Sequence, residues 1–142
     1  MKAKSIKGKS PEEIQSALEQ SMQDEFKPTL AIVFLSISQD RNALCKILDE
    51  KGIAIFGATT NGEFIDENTE KGSVAILLLD IDTSYFTILF DEYPDKNYRE
   101  VTQGLARKSL EIFPKPSFLI AGSNMETDAE ELLFGFADIA GN

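Results

Sequence analysis

The chain has 142 residues, the usual size of one domain, and no internal repeat, low-complexity tract or linker divides it. With 42% apolar and 27% charged residues, it has the composition of a soluble globular protein rather than a disordered one. A net charge of −10 repels polyanions, which argues against nucleic-acid and acidic-membrane partners. The longest apolar runs, Leu30 to Leu35 and Val74 to Leu79, are far too short to span a bilayer. The N-terminus has lysines but no apolar stretch behind them, so it is not a signal peptide. A single cysteine, Cys45, excludes an internal disulfide framework. A cytoplasmic location is expected.

In chain order, residues 1–6 read as a short edge strand, and Lys2, Lys4, Lys7 and Lys9 as a solvated terminus. Ser10-Pro11-Glu12-Glu13 opens a helix, because Ser10 can cap, Pro11 suits the first turn and Glu13 completes a capping box. Ile14, Ala17, Leu18 and Met22 then fall on one helical face. Leu30 to Leu35 is apolar on both faces and predicts a central strand. A helix over 39–51 follows, stopped by Gly52, and Ile53 to Phe56 is the next strand. Strand, helix and strand so closely spaced predict a parallel βαβ unit.

After Phe56 the pattern changes. Gly57 to Glu63 reads as a loop. Phe64 to Asp66 is expected to pair with Gly72 to Asp80 and to lead on to a strand over Tyr85 to Phe90, as an antiparallel meander. A helix is predicted over 95–113, where Gly104 would allow close packing on the sheet. Ser117 to Ala121 reads as a further buried strand, and Thr127 to Glu130 as a second capping box. The expected fold is α/β, a mixed sheet with a parallel βαβ core plus the meander, and helices packed on the sheet.

Three predicted strand ends carry small polar residues. These are Ser36 with Ser38, then Thr59, Thr60, Asn61 and Glu63 between and after Gly57 and Gly62, then Ser123 and Asn124. If the strands are parallel neighbours, the three groups share one rim, where open α/β sheets bind ligands. The same residue types also fill loops simply because they satisfy nearby backbone groups. Glu63 can pair with a ligand amine, act as a general base, or be a solvated loop acid. The chain contains no histidine, so Cys45 lacks the base a nucleophile needs and reads as packing. No Gly-x-Gly-x-x-Gly, Walker or Gly-x-Ser-x-Gly motif occurs. No metal or cofactor is expected.

The run from Leu30 to Ser36, the helix with Ala43, Leu44 and Leu48, the stretch Ile55-Phe56-Gly57-Ala58-Thr59-Thr60-Asn61-Gly62-Glu63-Phe64, and Gly72-Ser73-Val74 opening the next strand together resemble the N-terminal FIST domain. The most distinctive piece is Gly-x-Ser/Thr-x-x-Gly-Glu after a hydrophobic strand. The likeness covers most of the chain from Pro28 onward. It implies a cytoplasmic sensory module of signal transduction, coupled to an output domain such as a histidine kinase or chemoreceptor. The implied ligand is a small molecule, with an amino acid proposed. Gly57, Thr59, Thr60, Gly62 and Glu63 are the positions carried over by the motif. The family domain continues past the last helix here, so the resemblance also implies a truncated or short form. A sheet edge left open by that ending can pair with a second copy as a homodimer.

The expected function is thus non-catalytic sensing of a small polar ligand. A protein-interaction or assembly module is the alternative, and a small hydrolase or lyase using Glu63 as base is a third reading.

Overall fold

The computed structural model describes residues 1–65, 68–122 and 127–141. The chain forms two compact units, Met1–Thr87 and Ile88–Asn142. In the first unit the elements run β1 (Lys2–Gly8), α1 (Pro11–Ser21), β2 (Leu30–Ser36), α2 (Arg41–Asp49), β3 (Ala54–Thr60), β4 (Glu63–Ile65), β5 (Asn68–Glu70) and β6 (Val74–Asp80). The second unit contains α3 (Tyr98–Ile112) and α4 (Ala129–Ala140). The fold is α/β, as the sequence predicts. Its four-stranded sheet has the order β1-β6-β2-β3, with β2 and β3 parallel and every other pair antiparallel. Among the described residues no helix is long and apolar enough to cross a membrane.

Local chemistry explains the helix ends. Ser10 accepts from the Glu13 N–H at 3.3 Å, while the Glu13 carboxylate accepts from the Lys9 N–H at 2.7 Å, one residue ahead of the expected capping-box partner. Asp40 caps α2 through the Ala43 N–H, so this helix starts two residues after the predicted position. Gly52 leaves it at φ +70°, a left-handed turn open to glycine.

The core lies on one face of the sheet. Ala31, Val33 and Leu35 alternate inward on β2, and Val74, Ile76 and Leu78 on β6. Against them pack Ile14 and Leu18 of α1 and Leu44 and Leu48 of α2, all fully buried. Cys45 is exposed on the outer side of α2, so it has no packing role. The lysine-rich start forms the paired strand β1, with Lys2, Lys7 and Lys9 exposed, as expected of a solvated terminus, and only Lys4 is partly enclosed. Lys4 Nζ donates to Asp24 at 2.6 Å and to the Ser21 carbonyl at 2.7 Å, and it lies 5.0 Å from the Phe26 ring centroid.

The meander differs from the expectation. β4 pairs with β5, and β6 leaves that hairpin to insert between β1 and β2 in the main sheet. An apolar strand such as Val74–Asp80 gains more from two buried neighbours than from an edge position. Residues 86–90 form no strand, and a single 3-10 turn at Thr83–Tyr85 precedes them. Residues 117–121 also form no strand. Phe118 instead stacks on Phe136 of α4, with ring centroids 4.5 Å apart.

In the second unit α3 and α4 pack closely through small residues. Thr102, Ala106 and Ser109 are buried on α3, and Gly135 is buried on α4. A Cβ at Gly135 would strike the Thr102 hydroxyl and the Arg99 carbonyl. Gly104 meets nothing within 4 Å, so the close approach anticipated there belongs to Gly135. Arg99 spans the pair, donating to Asp138 through Nε at 2.7 Å and Nη2 at 2.9 Å. The last helix is capped by Asp128, which accepts from the Glu131 N–H at 3.1 Å, rather than by Thr127.

Candidate functional site

β3 runs through Gly57 to Thr60, so the predicted loop shrinks to a turn at Asn61 and Gly62. Gly57 sits in mid-strand opposite Val33, and any Cβ there would land on the Val33 carbonyl oxygen. It is needed for strand contact, and it lies roughly 10 Å along β3 from Thr60. The parallel register sets Leu35 beside Thr59 and Ser36 beside Thr60. The C-terminal ends of β2 and β3 therefore form a common rim, which is where ligand sites of open α/β sheets are built.

Glu63 stands behind this rim and is 2% exposed. Its Oε1 accepts from Thr60 Oγ1 at 2.8 Å. Its Oε2 accepts from the Ser73 N–H at 3.1 Å and from Ser73 Oγ at 3.0 Å. Ser73 in turn accepts from the Ser36 N–H at 3.0 Å through its carbonyl. Burial is the strongest single influence on Glu63 and opposes ionisation. The bonds from Thr60 and Ser73 together outweigh it and hold the carboxyl below the ordinary glutamate range. The sequence reading of a solvated loop acid is overturned, because the side chain is enclosed and fully engaged.

In front of the rim lies a solvent-open cleft of about 270 Å³, lined by Leu35, Ser36, Ile37 and Thr59 on the strand side and by Gln39, Asp40, Arg41 and Asn42 on the other. Thr59 is exposed in it and Ser36 half-buried. The Ser36 and Ser38 hydroxyls lie 3.0 Å apart. Gln39 fixes the loop between them and α2 by donating to the Gly72 carbonyl at 2.8 Å and the Lys9 carbonyl at 3.0 Å. Arg41 is exposed and forms no ion pair among the described residues.

Of the residues singled out from sequence, Ser36, Thr59, Thr60 and Glu63 come together. Asn61 and Gly62 form the adjoining turn, Gly57 lies further back, and Ser123 and Asn124 fall outside the described residues. Gln39, Asp40, Arg41 and Asn42 were missed. The signal was present, since the helix after a parallel strand starts on the same rim as the strand's end. Such a set of hydroxyls, amides, one carboxylate and one guanidinium can hold a small polar molecule by hydrogen bonds.

No curated protein and no solved structure matches the chain. The FIST N domain matches it over residues 29–142, a span that contains the whole cleft and the Glu63 network. Strand β2, the glycine-bounded stretch from Gly57 to Gly62 and the serine ahead of β6 all lie inside that match, and the chain belongs to the FIST N family of sensory domains.

Proposed function

We propose that this domain senses a small polar ligand of amino-acid size at the rim of β2 and β3, without chemical turnover, and passes the bound state to a signalling output domain or protein in the cytoplasm. The observation that carries this reading is the cleft itself. Its volume of about 270 Å³ lies just below the usual range of ligand pockets, and the side chains of Thr59, Arg41 and Asn42 in its lining have no hydrogen-bond or ion-pair partner among the described residues. Ser36 and Thr59 offer hydroxyls to the ligand's polar groups, and Arg41 suits a carboxylate. Asn61 and Gly62 border the same rim. Among the described residues at the rim none is arranged as a nucleophile with a base, which supports binding without catalysis. The test is a thermal-shift screen of free amino acids and common metabolites. A ligand present at 100 times its Kd should stabilise the fold by about 2.7 kcal/mol, and Thr59→Val should reduce that gain. A flat screen across all compounds would sink this reading.

A second reading, assembly with another chain, is favoured by the outer edge of β3. Among the described residues no strand pairs there, and the strand carries no charge, whereas the opposite edge strand β1 bears Lys2, Lys4 and Lys7. Sedimentation that shows a monomer at every concentration would exclude a homodimer through that edge.

A further inference from the structure

We infer that Glu63 is a positioning residue for the cleft, acting from behind its wall through hydrogen bonds that a neutral amide can also make. The inference rests on the ligand reading above for the meaning of the cleft, and on the local geometry for the role of Glu63.

The side chain is 2% exposed, and among the described residues its partners, Thr60 and Ser73, include no cation. A ligand amine would have to enter a closed site and displace three hydrogen bonds to reach it. Thr59 and Thr60 are adjacent on β3, so their side chains point to opposite faces. Thr60 turns its hydroxyl to Glu63, which leaves Thr59 as the exposed hydroxyl in the cleft. On its other oxygen Glu63 holds Ser73, whose carbonyl receives the Ser36 N–H. The chain of bonds Thr60–Glu63–Ser73–Ser36 thus ties together the end of β3, the start of β4, the entry to β6 and the end of β2. Two cleft residues, Ser36 and Thr59, are each placed by a neighbour in that chain.

The donor pattern separates positioning from charge. Both Ser73 groups need an acceptor, and one carbonyl oxygen with two lone pairs can serve both. Thr60 offers a hydroxyl, which can donate or accept. A glutamine can therefore set its carbonyl on Ser73 and its amide on Thr60 and keep the network whole. An alanine leaves the Ser73 N–H and hydroxyl buried without partners. A residue that binds or activates a ligand through its negative charge would show the reverse, with glutamine as harmful as alanine.

The experiment compares wild type, Glu63→Gln, Glu63→Ala and Thr60→Val by two measurements. One is amide hydrogen exchange at Ser36 in the free protein, with Val33 as the core reference. The other is titration with the free amino acid that gives the largest thermal shift. Glu63→Gln should keep the Ser36 protection and a Kd within about threefold of wild type, while Glu63→Ala should lose at least about tenfold in both. Thr60→Val, which keeps the side-chain shape, should weaken binding without altering exchange at Val33. The inference is overturned if Glu63→Gln abolishes binding while Ser36 stays protected, because the charge would then touch the ligand. It is also overturned if Glu63→Ala folds and changes neither measurement. If Glu63→Ala does not fold, Glu63→Gln and Thr60→Val decide alone. Should wild type bind no compound, the ligand reading fails by itself, and Ser36 exchange in the variants still supports or refutes the clasp.

Discussion

The hydroxyl of Thr60 donates to the carboxylate of Glu63 at 2.8 Å across a turn made only of Asn61 and Gly62. The contact closes β3 onto β4 and leaves a buried carboxylate whose partners are hydroxyls and an N–H group. Its consequence for stability has a definite sign. The folded state holds Glu63 below the ordinary glutamate range, so the unfolded chain binds its proton more readily. The stabilisation is fully present above the unfolded glutamate pKa of about 4.3 and is lost as pH falls through the lower folded value. Asp138, lowered mainly by its bond from Arg99, and Asp24, lowered mainly by its bond from Lys4, act in the same direction. Urea midpoints measured from pH 7 to pH 3 should fall below about pH 4.5, and the fall should be shallower in Glu63→Gln. An equal slope in the two proteins would remove Glu63 as a source of the acid sensitivity.

Gly57→Ala should destabilise the first unit by about 1–3 kcal/mol or more, since the new methyl group would meet the backbone of β2, which cannot move aside cheaply. Denaturant unfolding measures this directly. A neutral result would mean that β3 lies further from β2 than the register Val33 to Gly57 places it.

The two helical glycines should respond in opposite directions. Gly104→Ala adds a methyl group into open space and should stabilise α3 by up to about 1 kcal/mol. Gly135→Ala should loosen the α3–α4 pair by about 1–3 kcal/mol, because Thr102 and the Arg99 carbonyl occupy the space. Thermal unfolding of both variants gives the comparison. The same sign of shift in both would contradict the packing described.

Cys45 should react with a thiol reagent in the folded protein without prior unfolding, because it is exposed. Cys45→Ser should change stability by no more than about 0.5 kcal/mol, as for other surface substitutions. Labelling that requires denaturant would place the thiol inside.

Local rules account for much that was legible in advance. Ser10 and Pro11 opening α1, Gly52 ending α2, and the apolar runs of β2 and β3 each rest on groups a few residues apart, so they can be read from one stretch of chain. The parallel βαβ core follows from their order. The motif from Gly57 to Glu63 pointed correctly to the family, which the match over residues 29–142 establishes.

What the linear pattern could not express is which distant segments become neighbours. The run Val74–Asp80 reads the same at the edge of a meander or in the middle of a sheet, and only pairing with β1 and β2 decides between them. The run 117–121 has strand composition, yet its Phe118 is used in packing on Phe136 and no ladder forms. Glu63 looks like a loop acid until Ser73, ten residues on, arrives to bury it. The caps, the order β2-α2-β3 and the family could be read from the chain alone, whereas the place of β6, the enclosure of Glu63 and the far wall of the cleft emerge only on folding. Caps and periodicities are written in neighbouring residues, whereas strand pairing and burial depend on contacts between residues far apart in the chain.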